Sequence, residues 1–136
     1  MVKKITQRSV FVAVLCVMLM ACKNSSTKTI QPEDFDEFYQ KFLTNEEFQL
    51  SRIEFPLDGC ETDNDTVIYW NSAADWTMLI ESVYDIDTIE YKVEKIFSPA
   101  KVVFKIYIED SGYGITQEYE QEEGKWYLIM YDSMSN

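Results

Sequence analysis

Proton-transfer chemistry in this sequence rests on carboxylates and tyrosines, because none of its 136 residues is a histidine. That composition excludes Ser-His-Asp and Cys-His nucleophilic catalysis and every histidine-ligated metal site. A carboxyl group pushed into apolar surroundings has a raised pKa and can act as a general base. Glu109, Glu118 and Glu120 are candidates for that role, with Tyr107, Tyr119 or Tyr127 as hydrogen-bond donor. Spacing selects no pair among them. Glu118, Glu120 and Glu122 at every second position fit the wet face of a strand at least as well.

Other chemistry-bearing residues are few. Arg52 is the sole arginine after residue 21, so it is either one half of a structural ion pair or a fixed cation for an anionic ligand. Glu61, Asp63 and Asp65 alternate like part of an acidic calcium loop. The glycine and the bidentate glutamate such a loop needs are missing, so Asp58 to Thr66 reads as a solvated polar break, and no metal or other cofactor is expected. Cys60 has no basic neighbour to lower its pKa and reads as an inert, half-buried thiol.

The N-terminus explains the other two cysteines. Lys3, Lys4 and Arg8 precede an uninterrupted apolar run of eleven residues, 10–20. A bilayer-spanning helix needs about 20, so the run suits a secretion leader. It ends in Leu19-Met20-Ala21-Cys22, which resembles the lipobox of bacterial lipoproteins, where the cysteine is diacylated and becomes the mature N-terminus. Residues 1–21 are thus read as leader and 22–30 as a polar tether on a lipidated Cys22; 31–136 remain for a single domain. Cys16 leaves with the leader, so no disulfide framework is possible. The three basic residues leave too, which takes the net charge from −12 to −15. Such a chain lacks the cation excess that nucleic acid or an anionic lipid surface requires. Lys23-Asn24-Ser25-Ser26 lacks the acidic residues of known surface-export signals, so the expected location is the outer membrane, facing the periplasm.

The elements that would position these residues follow from periodicity. Pro32-Glu33-Asp34 opens a first helix, with Phe35, Phe38, Tyr39, Phe42 and Leu43 on one face. Thr44 and Glu47 match a capping box for a short second helix. Ile53 to Leu57 is extended before and through Pro56. Trp76, Leu79, Ile80 and Val83 at helical spacing predict a third short helix capped by Asn71 or Ser72. From Ile86 the period becomes 2, and four strands with short turns predict an antiparallel meander. In the last strand Trp126, Leu128 and Met130 face one way and Tyr127, Ile129 and Tyr131 the other, so that strand is central or lines a cavity. The fold class is α+β: two or three helices packed on a curved antiparallel meander of about four strands.

Helices followed by a meander ending in Gly124-Lys125-Trp126-Tyr127-Leu128 resemble the nuclear transport factor 2-like (NTF2-like) fold, in which a curved sheet and helices form a cone. The chain is more closely similar to uncharacterised lipoproteins of gut-type anaerobes with that fold. The resemblance rests on Phe35-Asp36-Glu37-Phe38-Tyr39-Gln40-Lys41-Phe42, on Phe48-Gln49-Leu50-Ser51-Arg52-Ile53-Glu54-Phe55-Pro56-Leu57 and on Tyr84-Asp85-Ile86-Asp87-Thr88. It extends through Ile106-Tyr107-Ile108-Glu109-Asp110-Ser111-Gly112-Tyr113-Gly114. It implies fold and location and assigns no activity. Asp65-Thr66-Val67, Asp87-Thr88-Ile89 and Asp132-Ser133-Met134 also resemble the acceptor pattern of periplasmic O-glycosylation in such bacteria. That makes Thr66, Thr88 and Ser133 candidate acceptors.

Together these features point to a membrane-anchored envelope lipoprotein acting as a non-enzymatic interaction or adaptor module for an unknown envelope protein. The alternative is a cone lined by Trp126, Tyr107 and Tyr127, with Arg52 as a further contact, that binds a small apolar or sugar-like ligand. A third reading is a carboxylate and tyrosine isomerase, which fold analogy alone cannot supply.

Overall fold

In the computed structural model residues 31–135 are described; the segments read as leader and tether, with Cys22, lie outside the described residues. The first helix, α1 (Phe35–Thr44), starts where Asp34 caps it by accepting from the Glu37 N–H at 3.0 Å. Asp36 and Glu37 in the first turn and Lys41 in the last complement the helix dipole. Pro32 and Glu33 therefore lie outside the helix they were expected to open. Phe38, Tyr39, Phe42 and Leu43 form the buried stripe. The second helix, α2 (Glu46–Leu50), is capped by Asn45 and not by Thr44. The Asn45 side chain takes the Phe48 N–H at 2.8 Å, whereas the Thr44 hydroxyl donates back to the Gln40 carbonyl and stays in α1.

Seven strands make one sheet. They are β1 (Ile53–Asp58), β2 (Cys60–Asp63), β3 (Thr66–Tyr69), β4 (Lys92–Ser98), β5 (Lys101–Tyr107), β6 (Gly114–Glu122) and β7 (Lys125–Ser135). The meander from β4 to β7 is antiparallel throughout, as its short turns require. Three further strands enlarge the expected set of four. β1 and β2 follow one another along the free side of β7, both parallel to it, and β3 folds back on β2. The supposed polar break is thus largely strand. Its acidic side chains conceal the ladder because backbone pairing with β7 and β3, not an apolar face, holds β2 in place. β7 is central, flanked by β6 on one side and by β1 and β2 on the other; its apolar residues on both faces are explained by that position.

The expected third helix does not form: residues 70–91 contain turns and no regular element. Ser72 and Asp75 close a single turn, after which long-range bonds capture the backbone. The Leu79 N–H and carbonyl both bond the Gln49 amide, and the Val83 N–H donates to the Tyr39 hydroxyl oxygen. The apolar spacing read as helical belongs to an irregular strap tied down at successive points.

The register of β7 slips once. Glu118 pairs with Met130 but Tyr119 with Leu128, leaving Ile129 as the extra residue of a bulge. Beyond it the faces exchange, so Tyr131 points inward opposite buried Gln117 and Met130 lies opposite the outer-face Glu118. The expected alternation of Trp126, Leu128 and Met130 is therefore broken after Leu128.

Inside, α1 lies on the sheet through an aromatic cluster. The Phe35 ring lies within 5.1–6.2 Å of those of Phe38, Tyr39, Phe97, Phe104, Tyr119 and Trp126. Tyr119 is 0% exposed, and its hydroxyl donates to Gln117 Oε1 at 3.0 Å. A second cluster joins Trp70, Trp76 and Tyr131. Among the described residues every buried side-chain nitrogen and oxygen has a partner.

Candidate functional site

Arg52 occupies the turn between α2 and β1, where its side chain is only 12% exposed. Its guanidinium grips Glu33 with two bonds, of 2.8 and 3.1 Å, and donates to the Trp126 carbonyl at 3.0 Å. The group also lies 4.5 Å from the Phe48 ring centre and 5.6 Å from that of Tyr127. Of the two roles open to this arginine, the geometry is that of an ion pair. Glu33 completes the knot by accepting the Trp126 N–H with its carboxylate and the Trp126 indole N–H with its carbonyl. The pair clamps the start of the domain onto the β6–β7 turn.

Burial alone would raise the Glu33 carboxyl, but the Arg52 hydrogen bond, the Trp126 N–H and the charges of Arg52 and Lys125 together bring it below its ordinary 4.5. A depressed carboxyl contributes stability above its unfolded value and loses it as pH falls through the folded value. Glu33→Gln is therefore expected to cost about 1.5–3 kcal/mol at neutral pH, the range of a hydrogen bond to a charged group. The gap from wild type should close on acidification below pH 4.5. Urea unfolding at stepped pH measures both effects, and a gap independent of pH would contradict this account.

The other expected ligand contacts do not converge. Trp126 points inward and is buried, whereas Tyr107 and Tyr127 stand out of phase with the buried residues of their strands and lie on the outer face. The Tyr107 hydroxyl donates to Glu94 at 3.0 Å, a bond that raises its pKa, with the Glu94 charge adding to it. Tyr127 flanks a groove of about 500 Å³ beside Phe55 and Pro56. These side chains thus form no common cone lining. Glu118 pairs with Lys101, and Glu109 and Glu120 are exposed. The two buried polar residues among those described, Gln49 and Gln117, are both amides.

Concave surface is found elsewhere. A cleft of about 490 Å³ opens beneath the strap, lined by Tyr91, Tyr113, Ile106 and Ile115 with Glu81 and Asp85 at its rim. The Tyr91 and Tyr113 rings meet edge to face at 5.6 Å. Burial, with Tyr91 and Glu81 nearby, raises the Tyr113 hydroxyl. Tyr131, deeper in, is pushed to about 12 by burial first and by the Glu61 charge second. A larger open groove, about 980 Å³, runs between α1 and the strap. Spacing alone did not single out either the cleft or the groove, because the strap that bounds them reads as a helix.

The partial calcium pattern gathers no site. Among the described residues no three acidic or cysteine side chains are placed to hold a metal, and Asp63 accepts instead from Asn64 and Ser135. Cys60 is half-buried, with its sulfur 3.6 Å from Asp132 Oδ1. The candidate acceptors differ in access. Thr88 lies exposed in a turn closed by the Asp87 carboxylate on the Ile89 N–H, beside an Ile89 that is 95% exposed. Thr66 is exposed at the start of β3, while Ser133 is held between Ile115 of β6 and Glu61 of β2.

A protein-family model described only as "-like" matches residues 33–136. Comparison with curated proteins finds no match. Among solved structures, the chain is similar to the crystal structure of an NTF2-like protein from Bacteroides fragilis, with 19% identity and a TM-score of 0.51. That match covers 77% of this chain and 48% of the other, so the chain spans about half the length of that relative. An NMR structure of a Bacteroides uniformis protein is 24% identical with a TM-score of 0.49, covering 77% of this chain and 78% of that one. The family match spans residues 33–136 and the chain belongs to that family, while the likeness to the Bacteroides fragilis structure shows an NTF2-like fold.

Proposed function

We propose that the protein is a non-enzymatic interaction module of the cell envelope, held to the outer membrane on its periplasmic side by lipid on Cys22. The observation that carries this reading is the aromatic packing that fills the space between α1 and the sheet, leaving concave surface beneath the strap and along α1. The interior that a ligand would occupy contains Phe35, Phe38, Tyr39, Phe104, Tyr119 and Trp126, ring against ring. Its polar groups are amides, hydroxyls and indoles, each bonded to backbone or to another side chain. An isomerase would need an inward carboxylate beside a tyrosine; Glu81, the acid next to Tyr113, is exposed. Large apolar side chains instead lie outside, on β3 (Val67, Ile68, Tyr69), on β4 (Ile96, Phe97) and on the strap (Ile80, Tyr84). A contiguous exposed apolar patch marks a docking face, and each of these segments is a place to seek one.

A photo-crosslinking residue placed in turn at Ile68, Ile80 and Phe97 of the full-length lipoprotein tests the reading in cells. One of these positions should yield a discrete protein adduct. Three silent positions would contradict it. A second reading, a cleft binder, is favoured by the Tyr91–Tyr113 pair and its aliphatic floor.

Thr88 is the acceptor best placed for O-glycosylation, since it lies in an exposed turn, whereas Thr66 is paired with Asp63 in the β2–β3 hairpin and Ser133 lies in a strand paired on both sides. Thr88→Ala is expected to remove a glycan mass from the mature protein, and Ser133→Ala to leave the mass distribution otherwise unchanged. Intact-mass spectrometry decides, and a glycan retained in Thr88→Ala would refute the assignment.

A further inference from the structure

The groove between α1 and the strap has a fixed wall. Leu79 is held by two bonds to the Gln49 amide, at 2.9 Å each, and Val83 by the Tyr39 hydroxyl at 3.2 Å. Ile80 follows the first of these anchors, is 71% exposed, and faces the groove from a backbone that cannot fold it away. Tyr84, also exposed, closes the wall with its hydroxyl 3.4 Å from Asp36. Keeping a large apolar side chain exposed on a pinned backbone is the arrangement of a preorganised docking surface, because the ordering cost is met on folding and not on binding.

The groove is net acidic, three carboxylates standing against Lys41 and against the Lys95 ammonium of β4, which lies 4.3 Å from the Tyr84 ring centre. Asp36 and Glu37 come from α1 and Asp85 from the strap. Lys41 is the cation on the same wall, and its ammonium is 4.3 Å from the Phe48 ring centre, engaged with α2. Glu81 and Asp87 continue the acidic rim into the adjoining cleft, which shares Ile80, Ser82 and Asp85 with the groove.

We propose that this groove takes an extended, basic stretch of a partner protein, with apolar side chains alternating with lysine or arginine. The proposal rests on the interaction-module reading and names its partner's chemistry. Helix α1 has ten residues and so is about 15 Å long at 1.5 Å per residue. An extended chain rises about 3.3 Å per residue, so four or five residues fill that length. Alternation lets one side of the strand meet the exposed Ile80 and Tyr84 while the other presents cations to Asp36, Glu37 and Asp85. A chain of net charge −12 disfavours a second copy of itself as the occupant.

The test is fluorescence anisotropy of the full-length chain in neutral detergent with two labelled hexapeptides, one alternating lysine and leucine, the other all lysine. The alternating peptide should bind, with affinity falling as salt rises, and at least tenfold more tightly than the all-lysine peptide. Ile80→Ser should weaken it about tenfold, and Asp85→Asn should weaken it and flatten the salt dependence. Ile68→Ser, on the far edge strand, should change nothing. Equal binding of the two peptides, no binding of either, or equal loss with Ile68→Ser would each overturn the proposal. If crosslinks to a protein form at Ile68 or Phe97 while the peptides fail to bind, the groove assignment falls and the interaction-module reading stands. If no position crosslinks, that reading falls as well.

Discussion

Gln49→Leu is expected to destabilise the domain by about 3–5 kcal/mol, although it places an apolar side chain of similar size in a site that is 1% exposed. The amide makes four bonds. Its Nε2 donates to the carbonyls of Phe42 at 2.7 Å and Leu79 at 2.9 Å; its Oε1 accepts from the Trp76 indole at 2.8 Å and the Leu79 N–H at 2.9 Å. Leucine leaves all four partners unmatched, and each buried orphan costs about 1–3 kcal/mol. Water reaching the partly buried ones brings the total below the simple sum. Gln49→Glu sharpens the test, because a carboxylate keeps the two accepted bonds, loses the two donated ones and buries a charge. Urea unfolding measures the loss. Hydrogen exchange at Leu79 should quicken beyond what global stability explains, since this amide ties the strap to α2. A loss below 1 kcal/mol with unchanged exchange would show that the strap is held by packing alone.

Gly59→Ala is expected to abolish folding or cost about 4 kcal/mol or more. Gly59 joins β1 to β2 with φ +95, and an added Cβ would fall 2.1 Å from the Tyr131 carbonyl oxygen and 2.7 Å from its carbon. The obstacle is β7 backbone, which cannot rotate away as a side chain could. Positive φ adds strain of about 1–3 kcal/mol for any residue with a Cβ. Gly114→Ala is the internal control: its added Cβ meets nothing nearer than 3.9 Å, so stability should stay within about 0.5 kcal/mol. Circular dichroism and thermal melts of the pair separate a steric requirement from a general intolerance of alanine. Similar losses in both would contradict the steric account.

These two residues mark the limit of what the sequence disclosed. The α1 stripe and the four-strand meander were legible because each follows from a local period, and the apolar faces of β7 left two places open to it, central or cavity-lining. What stayed hidden depends on partners far along the chain. Gln49 reads as an ordinary polar position on a short helix until Leu79, thirty residues on, closes around it. Trp76, Leu79 and Val83 have helical spacing, yet the bonds to Gln49 and Tyr39 outweigh the helix they suggest. β2 looks like a loop because its stability comes from backbone pairing on both sides. The Ile129 bulge, which reverses the faces beyond it, leaves no compositional trace. Among the candidate contacts, Arg52 was singled out by rarity, but its partner Glu33 reads as part of the opening of a first helix that it lies outside. The groove went unseen because its outer wall is the segment that reads as a helix.

The central claim is that the aromatic interior beneath α1 holds no ligand and that the protein acts through its surface. Native mass spectrometry of the full-length protein, purified from its own cells in detergent, tests it most directly. The account predicts the lipidated polypeptide, with any glycan, alone or with a protein partner, and no stoichiometric small molecule retained at gentle activation. A small molecule bound one to one, and lost on Tyr113→Ala, would contradict it and make the cleft beneath the strap the working site.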